Sequence, residues 1–184
     1  MTRDDHVALI REGAAGRDGT WADLGAGSGA FTMALASVLG ATARIFAVDR
    51  DERSLRTLER DVGASFPRIR TVHADFTGEV PLPPLDGILM ANSLHFQSDA
   101  CAVLSHAARW LKPGGRLIIV EYDIETPNPW VPHPLPWARL PAAAECAGFS
   151  GAQLLGSRPS RYHRRVYAAA FDAAAGSATG TINR

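Results

Sequence analysis

The stretch DLGAGSGAF at 23–31 constrains the fold of this chain more than any other segment. Gly25, Gly27 and Gly29 alternate with small residues after an acid, and an apolar, helix-like run follows. TWADL before the loop reads as a short buried strand, and 29–39 after it as a helix. Glycines at a strand-to-helix junction let a ligand touch the backbone, and a helix start presents unpaired N–H groups to it. A mere tight turn is the ordinary alternative, but three glycines at this spacing, at a first strand end, argue against it.

The rest of the chain repeats the strand–helix alternation that the loop begins. Residues 4–13 form a short candidate helix with Val7, Leu9 and Ile10 on its apolar side. ARIFAV, closing on Asp49, reads as a second buried strand. Residues 52–62 carry helix spacing through Leu55, Leu58 and Val62. Strands are expected at 69–73 and in GILMAN at 87–92. A helix over 99–111 has Asp99 as its N-cap and KPGG as its stop. RLIIVEY at 116–122 is the most strand-like run in the chain. A proline- and tryptophan-rich loop follows, then a helix over about 138–147. AQLLGS and RYHRRVYAAAF are suited to an antiparallel hairpin. Alternating strands and helices predict a doubly wound α/β domain with a mostly parallel sheet and helices on both faces. Residues 1–171 are expected to form one domain. The tail at 172–184 has no apolar face and is expected to be mobile.

Composition narrows the function classes. The 184 residues suffice for one domain with a sizeable core. No run approaches the length of a membrane span. The acids in MTRDDHVALIREGA argue against an export signal and for a cytoplasmic protein. Basic and acidic residues balance at 19 each, which speaks against whole-surface attraction to nucleic acid. Cys101 and Cys146 have no metal-ligand spacing, so no metal is expected, and two isolated cysteines in a cytosolic chain are expected to stay reduced.

In such a sheet, ligands bind at the carboxyl ends of the strands, beside the first strand. The positions that matter are therefore Asp23, Asp49, 73–76, 91–95 and 121–123. A phosphate-binding Walker loop is excluded, since no lysine follows the glycines. A dinucleotide loop is the harder competitor, because Gly25, Gly27 and Ala30 satisfy its pattern and Asp49 stands where its ribose-binding acid would. Asp23 favours a different ligand: a carboxylate before the loop sits poorly beside a pyrophosphate and well beside a cation.

WADLGAGSGAF, AVDRD, HADF, DGILMANSLHF and LKPGGRLIIVEYD, in that order over residues 20–123, resemble the class I S-adenosylmethionine-dependent methyltransferases. GF at 148–149 and two last strands would complete that family's seven-stranded, Rossmann-like sheet. The resemblance implies S-adenosylmethionine as cofactor, S-adenosylhomocysteine as product, and methyl transfer by in-line displacement. It also implies a cofactor site. Gly25, Ala26, Gly27 and Gly29 would cradle the methionyl part, with Asp23 holding its ammonium directly or through water. Asp49, flanked by Arg50, would accept both ribose hydroxyls, although Asp49 is also placed to cap the next helix. Asp75 would accept the adenine amino hydrogens and Phe76 would cover the ring. Asn92 would lie near the sulfonium.

The acceptor is less constrained. Family members that methylate amino groups of adenine or glutamine carry Asn or Asp, Pro, Pro, aromatic after the fourth strand. Here NSLHF stands instead and resembles small-molecule enzymes, including those acting on quinone precursors. His95 is the candidate general base, since histidine titrates near neutral pH and is expected at the site's rim. Tyr122, Asp123 and His163 are weaker candidates. The loop at 124–137 is the expected acceptor side, with Trp130 and Trp137 as an aromatic wall. RPSRYHRR at 158–165 places four arginines in eight residues, as a solvated turn or a seat for an anionic acceptor. The short segment before the first strand suggests an open site, a lid from a homodimer, or a larger acceptor. An RNA or protein methyltransferase, an NAD-dependent oxidoreductase and a non-catalytic cofactor-binding module are the rival readings. The oxidoreductase would need a proton-donating Tyr-x-x-x-Lys, and the chain's sole lysine, Lys112, lies in LKPGG.

Overall fold

The computed structural model describes residues 1–63, 68–160 and 165–175. In chain order its elements are α1 (Arg3–Ala14), β1 (Thr20–Leu24), α2 (Ala30–Val38), β2 (Arg44–Asp49), α3 (Glu52–Val62), β3 (Ile69–His73) and β4 (Leu85–Ala91). A single 3-10 turn (Leu94–Phe96) follows, then α4 (Ala100–Ala108), β5 (Leu111–Tyr122), α5 (Leu140–Cys146), β6 (Phe149–Pro159) and β7 (Arg165–Ala173). The seven strands make one sheet in the order β3-β2-β1-β4-β5-β7-β6. Strands β1 to β5 run parallel to their neighbours, and β7 is antiparallel to both β5 and β6. This is the doubly wound sheet with a C-terminal antiparallel hairpin that the alternation and the resemblance together imply.

Alternation along β5 divides its side chains between the two larger cores. Ile118 and Val120 join Leu9, Ile10, Phe31 and Leu35 under α1 and α2. Leu117 and Ile119 join Leu104, Leu140 and Phe149 on the α4–α5 face. Burial of both faces is what a parallel sheet requires, and all five residues of β1 are buried. Side-chain caps fix the helix starts. Thr2 and Asp5 form a reciprocal capping box on α1, Asp51 caps α3, and Asp99 accepts from Ala102 N at the head of α4.

Two local readings change. β5 begins at Leu111 rather than after KPGG, because Leu111 pairs with Leu85 and the ladder absorbs the glycine turn as an irregularity between Leu85 and Gly87. Cys101 and Cys146, expected as free thiols, form a disulfide joining α4 to α5, with Cα atoms 5.8 Å apart. Their 45-residue separation hides the fact that the two helices pack side by side. The chain order turns back between β1 and β4, and the crevice at their carboxyl ends holds the site. Among the described residues, no helix is long and apolar enough to cross a membrane.

Candidate functional site

The crevice is a cleft of about 260 Å³ lined by Gly25, Gly27, Asp49, Arg50, Asp75, Phe76 and Asn92, together with Ala74, Ser93, Phe96 and Gln97. Its floor is the glycine loop. Gly25 has φ 84°, and a Cβ there would lie 2.4 Å from the Cβ of Ser93, so the loop packs directly against the turn after β4. Gly29 caps α2 at φ 90°, and a Cβ there would strike Leu58 of α3. A Cβ on Gly27 would meet nothing within 4 Å, leaving open space over the backbone where a ligand can lie. Ala26 is 8% exposed and faces inward, with Leu58 and Val62.

The carboxylates differ sharply in environment. Asp49 ends β2, accepting from Gly27 N at 2.7 Å through Oδ2 and from Asp51 N at 2.8 Å through Oδ1. Asp51, not Asp49, caps α3, so the helix-cap alternative for Asp49 is not what forms. A carboxylate has about four lone-pair sites, so two remain for further donors. Asp75 accepts from the backbone N–H and the hydroxyl of Thr77, which hold its carboxyl below the usual range. Its Oδ1 is thereby committed, so a further donor has Oδ2 to use. Asp23 is fully buried below the loop. Burial pushes its carboxyl up to about 7, against the opposing hydrogen bond from Thr32 at 2.6 Å. Asp23 Oδ1 is buried without a partner. So is the side-chain oxygen of Asn92, whose backbone is left-handed at φ 52°.

An unpartnered buried carboxylate oxygen, an open glycine backbone and two further carboxylates against one arginine are a poor seat for a pyrophosphate. They suit a phosphate-free ligand with an ammonium and a diol, as S-adenosylmethionine has. The donor set therefore fits that cofactor.

His95, expected at the rim, is instead 2% exposed and absent from the cleft wall. Its Nδ1 lies 2.6 Å from Oε2 of Glu121, at the end of β5. A carboxylate only accepts, so Nδ1 carries the hydrogen of this bond, and in the neutral ring that tautomer leaves the lone pair on Nε2. Phe96 packs against the ring in a tilted pair, centroids 4.3 Å apart, and is 51% exposed at the cleft. Phe96, Gln97 and the partner role of Glu121 were not singled out from sequence. The signal lay in NSLHF and RLIIVEY ending neighbouring strands.

A second cleft, about 310 Å³, shares Gln97 with the first and is walled by Leu94, Pro127, Pro132, His133, Leu135 and Arg139. The expected aromatic wall is not built. Trp130 is 74% exposed outside both clefts, and Trp137 packs edge-on against Tyr167. Prolines line the second cleft instead. The loop is well fastened: Tyr167 donates to Leu135 O at 2.6 Å, His133 N to His95 O at 3.0 Å, and Trp137 N to Asp123 at 3.1 Å. His163, Arg161 and Arg164 lie outside the described residues, as does the tail from 176, while Arg158 stands near the end of β6 and Arg165 begins β7.

A family model described as a methyltransferase domain matches residues 22–115. The chain is 33% identical over 139 residues to a trans-aconitate 2-methyltransferase of Azoarcus sp., covering 68% of this chain and 53% of that protein. It is 31% identical over 101 residues to a demethylmenaquinone methyltransferase of Bacillus licheniformis, covering 54% and 43%. The chain thus spans about half the length of these curated relatives. Among solved structures, a SAM-dependent methyltransferase from Aquifex aeolicus superposes with TM-score 0.70 at 20% identity, covering 92% of this chain and 88% of that one. At that identity the likeness is one of fold.

Proposed function

The chain belongs to the class I S-adenosylmethionine-dependent methyltransferases, and from that premise we propose that it transfers the methyl group to a small organic acceptor. The observation that carries the reading is the cofactor cleft, with open backbone at Gly27 and the carboxylates of Asp49 and Asp75 on its wall. When bound, S-adenosylmethionine supplies an electrophilic methyl on a sulfonium. The chain's own residues hold and orient. Asp23, buried behind the wall, would hold the ammonium directly or through water, while Gly25, Ala26, Gly27 and Gly29 would shape the bed. Asp49 would accept from the ribose hydroxyls with Arg50 beside it. Asp75 would accept from the adenine amino group, Phe76 would cover the ring, and Asn92 would stand by the reacting end. In-line displacement then depends mainly on alignment.

The second cleft is the proposed acceptor seat, since Gln97 belongs to both walls. Its volume and apolar prolines favour a metabolite over RNA or protein, as do the small-molecule names of the two relatives. Where the acceptor arrives protonated, His95 is the proposed base through Nε2; its burial means that covering side chains must shift to expose it. The proposed location is the cytoplasm. The Cys101–Cys146 bond runs against it, because such bonds persist in oxidising compartments. Alkylating thiols in whole cells before lysis decides between the two.

Calorimetry with S-adenosylmethionine, S-adenosylhomocysteine and NAD tests the cofactor; binding of NAD alone would overturn the reading. Labelled methyl transfer to a size-fractionated cell extract tests the acceptor. Label is expected in the small-molecule fraction, and label in RNA or protein would refute the acceptor class.

A further inference from the structure

The turn after β4 carries residues of both clefts, yet its own side chains do not cap it. Ser93, at the N-cap position of the 3-10 turn, spends its hydroxyl on Leu24 O at 2.7 Å and makes no cap bond. The next two amides, of Leu94 and His95, are buried and would lack acceptors. Glu121 supplies one from the neighbouring strand. Its Oε1 accepts from Leu94 N at 2.9 Å and His95 N at 3.1 Å, and its Oε2 accepts from His95 Nδ1. Glu121 is 0% exposed. A carboxylate this buried is tolerable only with such donors, and the bonds it accepts are of the stronger, charge-assisted kind.

The turn so held touches both halves of the site. Ser93 abuts Gly25, Phe96 and Gln97 reach the cofactor cleft, and the His95 carbonyl takes the N–H of His133 from the acceptor loop. We infer that Glu121 is a positioning residue: from one buried carboxylate it sets the turn's place, fixes the His95 tautomer and couples the acceptor loop to the cofactor cleft. Naming the two sides rests on the methyltransferase reading; the mechanical link does not.

Glu121→Gln tests it, because the amide oxygen can still accept from both backbone amides while the charge and the His95 acceptor are lost. In the ligand-free variant, amide exchange at His133, which does not touch Glu121, is expected to rise about tenfold, roughly the worth of one such hydrogen bond. Nitrogen NMR of His95 is expected to move the hydrogen from Nδ1 to Nε2. Affinity for S-adenosylhomocysteine is expected to fall about tenfold, with α1 and β1 exchange unchanged. Exchange at His133 within twofold of the parent, or faster exchange spread evenly over the whole sheet, would overturn the inference. His133→Pro, which removes the linking N–H and leaves Glu121 intact, serves if the first variant fails to fold. It is expected to leave the His95 tautomer unchanged while weakening S-adenosylhomocysteine binding, and unchanged binding would again overturn the coupling. If the parent protein does not bind S-adenosylhomocysteine, the cofactor reading fails, while exchange and tautomer still test Glu121.

Discussion

Asp23 is held where a charge is expensive, and its protonation is therefore a stability matter. The unfolded carboxyl titrates near 3.8 and the folded one near 7. Between those values the folded state keeps a proton that the unfolded chain has lost, so stability falls as pH rises through the window and levels off above it. The full effect is on the order of 4 kcal/mol, and Asp23→Asn is expected to abolish it. Urea titrations of both proteins from pH 4.5 to 8 check this, and parallel curves would refute the burial argument. An ammonium placed beside Asp23 favours the ionised form. Cofactor binding just below pH 7 is thus expected to release a proton, visible as a dependence of binding heat on buffer ionisation in the parent and not in the variant. Asp49→Ala removes the acceptor for Gly27 N as well as the proposed ribose contact. S-adenosylhomocysteine affinity is expected to drop at least about tenfold, and an unchanged value in calorimetry would place the ribose elsewhere.

At the level of elements, local pattern and local chemistry were readable together. The Leu55, Leu58 and Val62 spacing places α3, and Asp99 marks the start of α4 as the structure has it. What escaped were contacts made only when distant segments meet. Glu121 and His95 are 26 residues apart and adjacent only because β4 and β5 are neighbours. The histidine's type suggested chemistry at a surface, and only packing reveals that it is covered. The tryptophans of the proline-rich loop illustrate the converse: their size implied a wall, but the loop's own turn at Asn128 leaves Trp130 in solvent. The Cys101–Cys146 bond belongs to the same class of non-local contact. Closing a 45-residue separation, it is expected to contribute about 4 kcal/mol. Guanidinium unfolding with and without a phosphine reductant measures it, and overlapping curves would mean that the bond does not constrain the unfolded chain.

Over the whole molecule, the sheet places the two clefts at one end and the sole lysine at the other. Lys112 clamps Asp86, which also receives the amide of Thr20, so the base of the sheet is tied where no ligand is proposed. The doubly wound sheet was legible because strand–helix alternation predicts it, and the complete seven-stranded sheet came with the resemblance. The proposed acceptor side is not dictated so, being a loop whose register comes from Tyr167, Asp123 and His95.

The link between α4 and α5 also makes residues 101–146 a closed covalent ring, with β5 and the entire proline-rich loop threaded along its circumference. A single cut in that loop opens the ring without dividing the molecule. Chymotrypsin acting after the exposed Trp130 is therefore expected to yield a species that migrates as one chain on a non-reducing gel and separates into two on reduction. Fragments ending at Trp130 and beginning at Val131 that separate without reductant would show that the ring is not closed in solution.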